Sequence, residues 1–302
     1  MIHSRHITPL HIIECFKATI YIMKFNFLII ALGGILTSGL ASCTDRCTIN
    51  GQSGNDLAFT TFQRSATYSL VGSAADFLCD KDVQFYDSVS IVMPLRVASA
   101  DITALCDSIC AYAFDSKPGT SVMAAAATWM RTRPSEGGYK AVSAYAEDAT
   151  TLGEASVNGF VYTLTPSLLV YCVHSESLEP GAAHGMSSTR YINFGYSAES
   201  TLQGVITLHD LFSTKGLKNL PRIIGDRASE LFSAIGPTDV EGLPENGNFY
   251  INSLGEIVFS YQPYEIASYA QGNIEITFEP YELVDLLSLK GITYFGLEDL
   301  ND

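Results

Sequence analysis

The chain has 302 residues, with 32 acidic against 17 basic side chains and a formal net charge of −15. That balance argues against charge-driven binding of nucleic acid or anionic lipid head groups, and makes a cationic partner attractive by long-range steering. No repeat, coiled coil or low-complexity tract is present to suggest a solenoid or fibrous protein.

The stretch Met23-Lys-Phe-Asn-Phe-Leu-Ile-Ile-Ala-Leu-Gly-Gly-Ile-Leu-Thr-Ser-Gly-Leu-Ala-Ser-Cys43 has a lysine, an apolar run of secretory length and small residues before a cysteine. Such a pattern is a signal peptide rather than a fold element. Leu40-Ala-Ser-Cys43 is similar to the bacterial lipobox, in which the cysteine is acylated and the leader is cut just before it. The competing reading, an uncut membrane anchor, is the weaker one, because the run is near the lower length for a span and carries several glycines. The expected organisation is then residues 1–22 ahead of the true start at Met23, a lipoprotein signal peptide over 23–42, lipidation at Cys43, and a polar tether over 43–56. On this reading His3, His6, His11 and Cys15 carry no chemistry. Removing residues 1–42 takes away Arg5, Lys17, Lys24 and Glu14, leaving 14 basic and 31 acidic side chains and a net charge of −17. The expected location is the bacterial cell envelope, with the acyl chains most naturally in the outer membrane.

Five further cysteines follow: Cys47, Cys79, Cys106, Cys110 and Cys172. An odd number cannot all pair within one chain. With no CxxC pair and scattered histidines, buried free thiols acting as small hydrophobes fit better than a zinc site. No metal and no cofactor is expected.

Leu57 to Leu78 suits an early strand or two, and Val83 to Val97 is a stronger strand that Pro94 limits to an edge or a bend. Ala100 to Phe114 places Ile102, Leu105, Ile109, Cys110 and Phe114 near one helical face, with Ser99 or Asp101 available as a cap. Ser121 to Met130 is Ala-rich and helical, with Trp129 as a core anchor or a glycan platform; Thr132 to Gly138 reads as a polar turn. The stretches through Tyr145 and from Val157 to Val173 predict successive strands of a meander. Thr189 to Tyr196 continues the sheet after the glycine-rich loop Glu179-Pro-Gly-Ala-Ala-His-Gly-Met186, where Gly181 and Gly185 allow positive φ. Ile206 to Phe212 opens a short helical turn, and Gly216 to Ala234 predicts a longer helix. Phe249-Tyr-Ile and Ile257 to Tyr261 form a hairpin about Asn252-Ser-Leu-Gly255. After an interruption at Pro263 to Gly272, Ile274 to Phe278 alternates as a half-buried strand, and Tyr281 to Leu287 is a short helix. The fold class is α+β, an antiparallel sheet meander with packed helices.

The set Gly181-Ala-Ala-His184-Gly185, Ile206-Thr-Leu-His-Asp-Leu-Phe212 and Tyr261-Gln-Pro-Tyr-Glu-Ile-Ala-Ser-Tyr-Ala-Gln-Gly272 resembles the exported module of the RsiV-type anti-sigma factors. The same module precedes the catalytic domain of PdaC-type peptidoglycan deacetylases and stands alone in many Bacteroidetes lipoproteins. The resemblance spans about Leu57 to Leu287, with a PdaC-like N-terminal part over 57–185 and an RsiV-like C-terminal part over 186–302. It implies an α+β extracytoplasmic domain, which in the RsiV-type case recognises lysozyme, a basic protein. Ala182 stands where the family usually has a second glycine. Neither a sigma-binding segment nor the TFDDG and HxxxH metal motifs of the deacetylases are found, so neither of those roles is expected to carry over.

The candidate binding residues are His184 in its glycine loop and the aromatic-acidic set Tyr261, Tyr264, Glu265 and Tyr269. An imidazole titrates near neutral pH and binds ligands, though it can equally lock its own loop; aromatic rings with a carboxylate suit a sugar or a cation, though they can equally be turn and core packing. His174-Ser-Glu176 and His209-Asp210 offer acid/base partners without a nucleophile elbow. The function expected is a non-catalytic envelope lipoprotein, membrane-bound through its lipid, that binds a lysozyme-like basic protein or peptidoglycan and no nucleic acid. The alternative is an envelope hydrolase of glycan or ester substrates that uses His184.

Overall fold

The computed structural model describes residues 56–70, 83–136, 139–142, 151–232 and 242–300. The expected leader, Cys43, and all of the tether but Asp56 lie outside the described residues, as do Cys47 and Cys79. Among the described residues no helix is long and apolar enough to cross a membrane.

Among the described residues the protein is an α+β fold with two sheets. The larger has seven strands: β1 (Leu57–Leu70), β2 (Val83–Val97), β3 (Tyr139–Val142), β4 (Thr151–Leu164), β5 (Leu168–Leu178), β6 (Met186–Gly195) and β7 (Gly204–Ile206), in spatial order β3-β1-β2-β4-β5-β6-β7. The expected meander holds from β4 to β7, where every pairing is antiparallel. It fails earlier. Between β2 and β4 the chain makes the helices α1 (Thr103–Phe114) and α2 (Val122–Glu136) and places β3 on the far side of β1, so β4 returns parallel to β2. A parallel pair needs a long crossover, and the two helices supply it. Pro94 is tolerated inside β2 because the β4 pairing ends at Ile91, leaving Pro94 paired only to Phe59 of β1 beside a register shift. The expected boundary between residues 185 and 186 falls in the hairpin joining β5 to β6, two paired strands of one sheet.

Helix α1 starts where Asp101 Oδ1 accepts from the amide and hydroxyl of Thr103 at 2.9 and 2.7 Å. It buries Leu105, Ile109, Cys110 and Ala113 against the sheet. Cys106, Cys110 and Cys172 are free thiols; burial pushes Cys110 up to about 11 and Cys172 up to about 12, so both stay protonated. Helix α2 runs six residues past the expected end at Met130, into the segment read as a turn. The hydroxyls of Thr128 and Thr132 return to the carbonyls of Ala124 and Trp129, satisfying themselves within the helix. Trp129 packs on Phe114 with ring centroids 6.2 Å apart, as a core anchor.

These helices cover one face of the large sheet, enclosing Val89, Ile91, Val157, Leu169, Tyr171, Ile192 and Phe194. A second core lies on the opposite face, over β5 and β6. It is built from the small antiparallel sheet β8 (Phe249–Ile251), β9 (Ile257–Tyr261) and β10 (Ile274–Phe278), with α3 (Leu208–Leu211), α4 (Thr214–Phe232) and α5 (Leu289–Phe295). Helix α3 opens on a capping box in which Asp210 Oδ2 accepts from the Thr207 amide at 2.8 Å, and His209 stays exposed beside it. The segment expected as a helix over Tyr281 to Leu287 is a 3-10 helix, Pro280–Leu286.

Side-chain amides join the small sheet to the large one. Asn193 Nδ2 donates to the Phe249 carbonyl at 3.0 Å, and its Oδ1 accepts from the Ile251 amide at 2.9 Å. Asn248 Oδ1 accepts from the Tyr191 amide, and its Nδ2 donates to the carbonyls of Thr189 and Ser260. Gln262 Oε1 accepts from the Thr189 amide at 2.7 Å, and its Nε2 donates to the Thr189 carbonyl at 2.8 Å. β7 pairs with β6 only from Asn193 to Gly195. Along Thr189 to Tyr191, carboxamides take the place of a neighbouring strand, satisfying backbone groups whose burial unpaired is costly.

Candidate functional site

The five expected binding residues divide by burial. Tyr261 is 1% exposed, lies in the core, and donates its hydroxyl to the Gly242 carbonyl at 2.7 Å; it holds the loop from beneath. Glu265 is half-buried, and its carboxylate is taken up by backbone: Oε2 accepts from the Gln262 amide at 2.7 Å and Oε1 from the Glu245 amide. Both residues shape the surface without lying on it as free contacts.

His184, Tyr264 and Tyr269 come together. His184 stacks on Tyr269 with ring centroids 4.3 Å apart and planes 22° from parallel, and Tyr264 lies 5.7 Å from Tyr269. A carbonyl can only accept, so His184 Nδ1 carries the proton that it donates to Gly185 O at 2.9 Å, and Nε2 accepts from the Tyr264 hydroxyl at 3.0 Å. Both ring nitrogens are therefore engaged. The loops are built for this meeting. Gly181 takes φ 81° at the turn after Pro180, whereas Gly185 is needed for space, since a Cβ there would come 2.9 Å from the Ser177 carbonyl oxygen.

Tyr264 takes φ 70°, in the left-handed region. It stands third in the turn Gln262-Pro263-Tyr264-Glu265, closed by the Glu265 amide donating to Gln262 O at 3.1 Å. Pro at the second position and positive φ at the third are the marks of a type II turn, where glycine is the usual occupant. A left-handed L-residue costs roughly 1–2 kcal/mol. This one leaves its ring 55% exposed, against His184 and Tyr269. The result is a shelf of three rings at the surface, able to stack on a sugar face or receive a cation.

The other acid/base candidates serve structure. A carboxylate only accepts, so His174 Nε2 donates to Glu176 Oε1 at 3.0 Å and Nδ1 accepts from the Thr189 hydroxyl at 2.9 Å. The hydrogen bond from His174 holds the Glu176 carboxyl below its ordinary value. Thr189 is nearly buried and its amide is committed to Gln262, so this chain fixes the strand it crosses. Among the described residues no three His, Cys, Asp or Glu side chains converge as metal ligands.

A second aromatic group was not anticipated. Tyr162 on β4, Tyr191 on β6 and Tyr250 on β8 have ring centroids 4.4 to 5.2 Å apart, and the Tyr250 hydroxyl donates to Glu275 Oε2 at 3.2 Å. Tyr162 is the extra residue at a register shift between β4 and β5, which turns its side chain out of the normal alternation. Each tyrosine alone reads as ordinary strand composition; the register shift and the sheet packing that unite them leave no local signature. The carboxamides were equally hidden, although a polar residue between Ile192 and Phe194 in a strand is a signal that a buried amide must have partners.

Two solved structures share this architecture. A DUF3298 family member from Bacteroides fragilis NCTC 9343 superposes with a TM-score of 0.57 at 16% identity, covering 80% of this chain and 98% of that one. A DUF3298 family protein from Pseudomonas aeruginosa PAO1 does so at 0.50 and 13%, covering 78% and 97%. Identities this low speak to fold alone. No curated protein matches the chain. Residues 209–281, which hold the Tyr264 turn and all three strands of the small sheet, match the family model for DUF3298, a protein of unknown function.

Proposed function

We propose that this protein is a non-catalytic binding lipoprotein of the bacterial envelope, anchored through Cys43, whose ring shelf of His184, Tyr264 and Tyr269 holds a partner. The observation that carries this reading is Tyr264, a bulky ring kept at a left-handed turn position where glycine would sit without strain. Strain of this kind persists where the surroundings require it, and here it presents an exposed ring to solvent. The partner is a lysozyme-like basic protein or a peptidoglycan glycan. The net charge of −15 supports the first, the flat rings suit either, and the likeness of the Gly181 to Gly185 and Tyr261 to Gly272 stretches to the RsiV-type module supports the first again. The lone pair of His184 Nε2 is occupied by the Tyr264 hydroxyl, so the geometry lends no support to a hydrolase using His184 as base.

The test is calorimetric titration of the protein against lysozyme and against soluble peptidoglycan fragments, at low and moderate salt, with Tyr264→Gly as the matched variant. A salt-sensitive lysozyme complex weakened at least tenfold by the substitution identifies a basic protein partner; glycan binding with the same dependence identifies the wall. Heat signals absent for both, or indifferent to Tyr264, would sink the proposal.

A further inference from the structure

The group formed by Tyr162, Tyr191, Tyr250 and Glu275 lies apart from the ring shelf and depends on none of its residues. The ring of Tyr162 packs edge-on against those of Tyr191 and Tyr250, with centroids 5.2 Å away in each case, and the Tyr250 hydroxyl donates to Glu275 Oε2 at 3.2 Å. Three phenol rings and a carboxylate therefore come together. Burial pushes the phenols of Tyr191 and Tyr250 upward, so they remain neutral donors that leave lone pairs free to accept.

The charge balance of this group is incomplete. Among the described residues, every ion pair engages other carboxylates, and Glu275 has no Lys, Arg or His partner. Although the residue is exposed, the protein packed beside its carboxyl strips away part of its water and holds it above the ordinary value, the direction expected of a carboxylate set against aromatic rings with no counter-charge. On β9, Ser260 lies directly across from Glu275; it is wholly buried, and among the described residues its hydroxyl has no hydrogen-bond partner. The site is also open. Tyr162 is 45% exposed, and Glu275 is exposed on the edge strand β10.

We propose that Glu275 and Tyr162, backed by Tyr191 and Tyr250, form a binding site for a single alkylammonium group. The chemistry selects ammonium over guanidinium. Glu275 Oε2 already accepts from Tyr250, which leaves one carboxylate oxygen free, whereas the planar fork of a guanidinium is matched by two. An ammonium is a compact charge with three donors, suited to one carboxylate oxygen and neighbouring phenol oxygens, and its methylene stem can lie on the exposed ring of Tyr162. The group is supplied either by a lysine side chain of a protein or by a free primary amine.

The experiment is an NMR titration of the protein with labelled tyrosine rings, using butylammonium chloride, an acetylated and amidated lysine tripeptide, ethylguanidinium and potassium chloride as separate probes at constant ionic strength. Saturable shifts of Tyr162 and Tyr250 are expected with butylammonium. Glu275→Gln, which keeps an acceptor for Tyr250, weakens binding roughly tenfold, Tyr162→Leu weakens it severalfold, and Tyr264→Gly leaves it unchanged. Tighter binding of the tripeptide assigns the site to a protein lysine, and tighter binding of butylammonium to a free amine. The proposal is overturned by shifts that do not saturate, by equal affinity in Glu275→Gln, or by ethylguanidinium or potassium binding as well as butylammonium. Because Tyr264→Gly removes the shelf and not this site, failure of either proposal is seen separately.

Discussion

Tyr264 stands on a loop, 55% exposed, at a backbone angle that tyrosine seldom adopts, whereas Tyr250 stands on β8, 5% exposed, in extended backbone that suits it. The first belongs to a cluster whose rings meet because two loops, one carrying His184 and one carrying Tyr264 and Tyr269, are shaped by turns. The second belongs to a cluster whose rings meet because two sheets are joined by Asn193, Asn248 and Gln262. Aromatic groups of similar make-up thus have different foundations: local turn strain in one case, long-range polar joining in the other. Damage to the joint should unfold the protein before it affects recognition, and damage to the turn should do the reverse.

The largest expected effect is on the joint. Asn248→Ala leaves the amide of Tyr191 and the carbonyls of Thr189 and Ser260 without their partner in a buried seam. Orphaned groups of this kind cost about 1–3 kcal/mol each, so a loss of roughly 3 kcal/mol or more is expected in urea unfolding. A loss below 1 kcal/mol would show that water enters the seam and that the two clusters are equally local. Next comes the turn. Tyr264→Gly relieves the left-handed strain but adds backbone freedom to the unfolded chain, so stability should stay level or rise by up to roughly 1 kcal/mol while partner binding is lost. A drop of 2 kcal/mol would mean that the ring is packing and not recognition.

A smaller change is expected from His184→Ala, which removes a stacked ring and the acceptor of the Tyr264 hydroxyl from an exposed site. Melting should shift little, whereas partner affinity should fall severalfold; an unchanged affinity would detach His184 from the shelf. The smallest effect is a pH slope. A carboxyl raised in the folded state binds its proton more tightly there than in the unfolded chain, so its stabilising contribution is full below 4.5 and declines as pH rises through its raised folded value. Glu275→Gln should flatten that decline across the mildly acidic range, measured as unfolding free energy against pH, without altering the loop cluster.

Much of the architecture was legible in the residues. Alternation in Ile274 to Phe278 gave a strand that is buried and accessible by turns, and the Asn252 to Gly255 stretch gave its hairpin, with Gly255 at φ 84°. The helical spacing of Leu105, Ile109 and Cys110 gave a helix on a sheet, and all three are buried. Short-range periodicity reports which face is dry, and that is what these elements needed. The candidate site was half legible. His184, Tyr264 and Tyr269 sit among Gly and Pro punctuation that marks loops, whereas Tyr261 ends a predicted strand, and that its ring turns into the core was decided by the packing of the small sheet.

Sequence alone determined the α+β class, the hairpin of the small sheet, the helical faces and the loop character of the shelf residues, because each follows from contacts within a few residues. Tertiary structure alone decided that β4 returns parallel to β2, that three carboxamides stand in for a strand along β6, and that Tyr162, Tyr191, Tyr250 and Glu275 meet. Those outcomes depend on pairing register and sheet packing between segments as many as 113 residues apart, from Tyr162 to Glu275. Free energies of that kind arise only when the distant surfaces are brought together, and no short window of the chain contains them.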